Sequence, residues 1–149
     1  MFCVQTLLRF DVVLGARFSL VVESFTSWHQ AVPFLTEKIF KPIVLQMPFI
    51  LVGCPHNLEY LRSFGFKTFS DFWDESYDTI EDPIERLNAI VKILKDLSEV
   101  SAEEQQDLLV KMQPILEHNY NLFNGDLVKN EWEHLTKQLR DICDKYRFQ

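Results

Sequence analysis

The sequence predicts an α/β domain: a Rossmann-like parallel sheet followed by about three C-terminal helices. Three observations predict it. Two short apolar runs in the first half, Phe18-Ser-Leu-Val-Val-Glu23 and Pro48-Phe-Ile-Leu-Val-Gly53, have the composition of strands. Helix signals lie between and after those runs. From about residue 80 the pattern changes to long stretches with apolar residues at helical spacing. Composition divides the same way. Residues 1–75 hold Gly15, Gly53 and Gly65, most of the phenylalanines and a net charge of -1, whereas residues 76–149 hold only Gly125 and a net charge of -6. No linker or repeat separates the halves, so residues 1–149 read as one domain, with a strand-and-helix part over 1–80 and a helical part over 81–149.

Taken in order, residues 2–16 fit helix and strand equally. The run Phe18–Glu23 is β-branched and apolar. Thr36 then has the chemistry of a helix cap, with Glu37 at the first helical position, and Pro42 confines that helix to a few turns. Pro48–Gly53 is apolar without alternation, the pattern of a strand buried on both faces as in parallel sheets. Asn57–Phe64 suits a short helix, with Gly65 as its left-handed terminus, and Phe66–Phe69 suits a third short strand.

In the second half, Asp82-Pro-Ile-Glu85 supplies a cap, a proline at the first helical position and a capping-box Glu. Ile84, Leu87, Ile90, Val91, Leu94 and Leu97 follow as a core stripe. Ser101-Ala-Glu-Glu104 is a second capping box, leading into Leu108, Leu109, Met112, Ile115 and Leu116, with a kink expected at Pro114. Gly125 ends that helix. A last stripe runs from Leu127 through Trp132, Leu135, Leu139 and Ile142 to Tyr146.

Composition narrows the function. With 47% hydrophobic and 25% charged residues the chain is of ordinary globular type. Fifteen basic against 22 acidic residues, with no Lys/Arg cluster, disfavour nucleic acid and anionic membrane surfaces as partners. The longest apolar run, Ile43–Cys54, is broken by Gln46, Pro48 and Gly53 and is too short for a membrane span. Cys3, Cys54 and Cys143 are odd in number and form no CxxC, which points to a reducing compartment, the cytoplasm.

Candidate chemistry centres on Thr36-Glu-Lys-Ile-Phe-Lys-Pro-Ile43. At the C-terminal edge of a parallel sheet, where open α/β folds bind ligands, a helix start with Glu37, Lys38 and Lys41 offers charge and free N–H groups to a phosphate. The same residues also suit an ordinary solvated helix start. His29, in the preceding loop, is a further candidate. Asp71, Asp74, Glu75 and Asp78 form an acidic cluster that suits a hard cation or helix capping, but it lacks the spacing of a calcium loop. The four histidines have no zinc-ligand spacing, so no metal is expected. No P-loop, GxGxxG or GxSxG occurs.

Several segments together resemble a known family. The segments Leu20-Val-Val-Glu-Ser24, Phe34–Ile43 and Pro48–Gly53 resemble the donor-binding half of GT-B glycosyltransferases, most closely the fucosyltransferase type. Together with Leu58-Glu-Tyr-Leu-Arg-Ser-Phe-Gly-Phe-Lys-Thr-Phe69, Trp73-Asp-Glu-Ser-Tyr-Asp78 and Leu116-Glu-His-Asn119, they are similar to a phage and bacterial family over residues 17–123. The resemblance implies a nucleotide-sugar site, with no other cofactor. Glu37 would hold the ribose, Lys38 the diphosphate, and Glu23 would face the sugar or base, with Thr36 and Lys41 beside them. A GT-B enzyme has two Rossmann-like domains, and this chain matches the C-terminal one. The acceptor domain is therefore missing or belongs to another chain, and the uncovered cleft surface implies a homo-oligomer. The alternative is a non-catalytic assembly or interaction module that keeps the fold.

Overall fold

The computed structural model describes residues 16–23 and 33–127, together with Lys129 and Lys137. Its elements are β1 (Ser19–Val22), α1 (Phe40–Val44), β2 (Phe49–Val52), α2 (Asn57–Ser63), a 3-10 turn (Ser76–Thr79), α3 (Pro83–Glu99) and α4 (Ala102–Leu122). The chain is thus mixed α/β. The two strands pair in parallel, with Ser19 opposite Phe49 and Val22 opposite Val52. Parallel pairing requires a crossover between the strands, and α1 lies within that connection.

β2 is the buried strand that its unbroken apolar run predicts. Phe49, Ile50 and Leu51 are all at most 2% exposed. β1 alternates instead: Val21 enters the core while Leu20 and Val22 remain exposed. Ile39, Ile43, Leu58, Leu61, Phe66, Phe69, Trp73, Ile90, Ile93, Met112 and Leu116 complete the core with β2. Phe69 is its hub, edge-on to Phe49 with ring centroids 5.1 Å apart and 5.1 Å from Trp73.

Two helix starts follow their sequence signals. The Asp82 carboxylate accepts from the N–H groups of Ile84 and Glu85, with Pro83 at the first helical position. At Ser101 both halves of the capping box are formed with Glu104. α4 runs through Pro114 to Leu122, and the backbone leaves helical geometry at Gly125. The last stripe, from Val128 on, lies outside the described residues, as do residues 1–15.

Three expectations are corrected. Phe66–Phe69 is not a strand. Its backbone is satisfied by side chains: Lys67 N–H donates to Asn119 Oδ1, Asn119 Nδ2 donates to Lys67 O (both 2.8 Å), and Phe69 N–H donates to Glu75. The core face of α3 is Arg86, Ile90 and Ile93, while Ile84, Leu87 and Val91 are exposed. The third is the start of α1: Thr36 does not cap it. The helix begins at Phe40 after a turn, and Ile39 occupies the cap position with no side-chain hydrogen bond. Gly65 has the left-handed backbone expected after α2 (φ +89°). Among the described residues no helix is long and apolar enough to cross a membrane.

Candidate functional site at the strand ends

The C-terminal ends of β1 and β2 meet at Glu23 and Gly53. Glu23 N–H donates to Val52 O at 2.9 Å and extends the strand ladder by one bond. That bond turns the Glu23 carboxylate into the protein, where its side chain is fully buried. An isolated buried carboxylate is costly, so it must collect donors. It takes two from Thr36: the N–H at 3.0 Å and the hydroxyl at 2.5 Å. Lys38 Nζ lies 4.0 Å from the same carboxylate and 3.3 Å from Thr36 Oγ.

This explains the failed cap. The Thr36 hydroxyl is committed to Glu23, and its oxygen then accepts from the Lys38 N–H at 3.3 Å, closing a local turn. The N–H groups of Ile39, Phe40 and Lys41 are bonded to the carbonyls of Thr36, Glu37 and Lys38. The donors expected to cradle a phosphate at this helix start are therefore occupied, and α1 has only five residues.

A second clamp lies alongside. Asn57 accepts from Phe34 N–H at 3.0 Å and donates to Phe34 O at 3.1 Å, mimicking a strand partner. A Cβ at Gly53 would sit 2.2 Å from Asn57 Nδ2, so only glycine leaves room for this side chain. Glu23 and Asn57 together pin residues 34–38 to the strand ends.

Of the sequence-predicted site residues, the structure brings together Glu23, Thr36 and Lys38. Glu37 is exposed on the turn, and Lys41 lies on α1. Lys41 meets Lys38 through the backbone, its N–H donating to Lys38 O at 3.3 Å. His29 lies outside the described residues. Sequence reasoning missed Asn57; its signal was a polar residue four positions after a glycine that closes a buried strand.

The acidic cluster serves the fold. Asp78 accepts from the N–H groups of Leu58 (2.9 Å) and Glu59 (3.0 Å), capping α2 from twenty residues away. Glu75 accepts from Thr68 Oγ1, Phe69 N–H and Arg62, and burial pushes its carboxyl above the usual range against those bonds. The backbone N–H of Ser76 holds the Asp74 carboxyl below its ordinary value. Among the described residues no group of three or more His, Cys, Asp or Glu is placed to hold a metal ion.

Two cavities adjoin α3, and one of them reaches the strand ends at Gly53. One, of about 360 Å³, separates the sheet from α3 and is lined by Val22, Val52, Ile84 and Leu87 among others. The second, of about 260 Å³, is walled by Phe72, Trp73, Ile93 and Leu97. Glu37 and Lys38 line neither. Comparison of the chain with protein-family models, with curated proteins and with solved structures finds no match to any of them.

Proposed function

We propose that this chain is a nucleotide-sugar-binding domain of glycosyltransferase type, a Rossmann-like half whose site lies at the strand ends. The observation that carries this reading is the meeting of Glu23, Thr36 and Lys38 at the C-terminal edge of parallel strands. Ligands of open α/β sheets bind at that edge. Lys38 is the cation there: Thr36 and Glu23 orient its amine, and its side chain is 36% exposed. In this reading it meets the diphosphate without help from the α1 backbone, whose N–H groups are bonded to the preceding turn. Exposed Glu37 accepts from the ribose hydroxyls, and Lys41 adds charge. In a transfer reaction Lys38 would stabilise the departing nucleoside diphosphate. The acceptor and the catalytic base would come from a second domain.

Calorimetric titration with nucleoside diphosphates and nucleotide sugars tests this. Binding is expected, and Lys38→Ala should weaken it about ten- to a hundred-fold by removing a charge-assisted contact. Far-UV circular dichroism of the variant should be unchanged. Absence of binding at millimolar ligand overturns the reading. The second reading, a non-catalytic assembly module, is favoured by one observation: the apolar side chains that β1 and α3 leave in solvent.

A further inference from the structure

We infer that the cavity between the sheet and α3 is a binding site for a small carboxylic acid with an apolar body, and that Arg86 holds its carboxylate. Val22, Val52 and Gly53 at the strand ends form one wall, and Ile84 and Leu87 of α3 stand across from them. At about 360 Å³ the cavity lies at the small end of the range for ligand pockets. Its one charged lining residue is Arg86, which is 5% exposed.

A guanidinium stays charged at any ordinary pH, and a buried charge needs a partner. Among the described residues no carboxylate pairs with Arg86. Its bonds are two, both from Nη1: to Ile80 O at 2.6 Å and to Glu81 O at 3.3 Å. They anchor one side of the guanidinium. Nε and Nη2 make no bond among the described residues. They are not sealed in either, since the buried side-chain atoms without a partner belong to Trp73 and Tyr77. The open space that Arg86 lines is this cavity. The Nε–Nη2 edge is a fork that binds a carboxylate through two parallel bonds.

The lining selects the rest of the ligand. Apolar walls match a hydrocarbon body, and one fixed positive charge matches one negative charge. A phosphate monoester would bring a second charge close to buried Glu23, whose Cβ is 3.6 Å from where a Cβ at Gly53 would stand. A neutral ligand would take water from the fork and leave its donors unbonded, which is costly. Lys38 does not line the cavity, so the inference stands whichever reading of the strand-end cluster holds.

Calorimetric titration of the whole chain with octanoate tests it, with 1-octanol and octyl phosphate for comparison. Octanoate should bind with a dissociation constant below about 1 mM, about tenfold or more tighter than either. Arg86→Met removes the charge and should weaken octanoate by about 30-fold or more while leaving octanol unchanged. Arg86 also holds two carbonyls, so a second variant decides if that one fails to fold. Leu87→Trp leaves Arg86 in place and fills the cavity from a half-exposed position. It should weaken octanoate about tenfold or more with unchanged circular dichroism. Lys38→Ala should leave octanoate binding as it is, so this site and the nucleotide site fail separately. No octanoate binding at about 10 mM overturns the inference. So does octanol or octyl phosphate binding as tightly as octanoate, or a folded Leu87→Trp that binds octanoate like the wild type.

Discussion

The helices of the first half and those of the second start in opposite ways. α3 and α4 cap themselves: Asp82 and Ser101 each bind N–H groups two or three residues ahead. α1 and α2 do not. The threonine placed to cap α1 serves a buried glutamate, and α2 opens at a left-handed His56 with no side-chain cap of its own. Its cap is Asp78, contributed from within the 3-10 turn. The difference follows from burial. Asp82 and Ser101 are exposed, so nothing competes for their side chains. Thr36 and Asp78 lie among buried polar groups, and each goes to the donor or acceptor whose desolvation would cost most.

The comparison is tested most strongly at Asp78. Asp78→Ala leaves the Leu58 and Glu59 N–H groups without their acceptor, and Leu58 is only 1% exposed. The expected loss is about 2–4 kcal/mol in urea denaturation, above the ~1 kcal/mol of an exposed cap. A loss no larger than that of an exposed cap would mean that distant and local caps are energetically equivalent here.

The same contrast explains what the sequence disclosed. The strands and the starts of α3 and α4 were legible because each rests on neighbours in the chain, and the parallel pairing followed from the helix signals between two apolar runs. The third strand was misjudged because Phe66–Phe69 has strand composition, yet its backbone partner is the side chain of Asn119. The α3 stripe was half right, since periodicity identifies an apolar side but does not say which part of a wide one meets the core. At the candidate site, the residue types of Glu23, Thr36 and Lys38 were legible. That Glu23 would bind Thr36 was not, because a contact across thirteen residues leaves no local trace.

Glu75 gives a medium-sized test with a definite sign. Burial raises its carboxyl pKa above the ordinary value of 4.5, so the unfolded chain gives up this proton more readily than the folded one. The contribution of Glu75 is then fully present below pH 4.5 and declines as pH rises through the folded value. The stability difference between wild type and Glu75→Gln should therefore fall as pH rises from 4.5 towards neutrality. Urea midpoints for both proteins across that range measure it. A difference that instead grows with pH would show that Arg62, Thr68 and the Phe69 N–H outweigh burial.

The smallest expected effect lies at the self-sufficient cap. Asp82 is exposed and its carboxylate accepts from two N–H groups at 2.8 and 2.9 Å, both in the first turn of α3. Asp82→Ala should cost about 1 kcal/mol, because water can reach the released N–H groups and take over part of the bonding. Asp82→Asn keeps an acceptor at the same position and should recover most of that loss, missing only the favourable charge at the helix N-terminus. Neither change should disturb α2, which is held from Asp78, so hydrogen exchange at Leu58 and Glu59 should be unaltered by opening at α3 alone. If exchange at Leu58 instead rises with Asp82→Ala, the start of α3 and the distant cap of α2 act as one unit, and the two kinds of helix start are not independent after all.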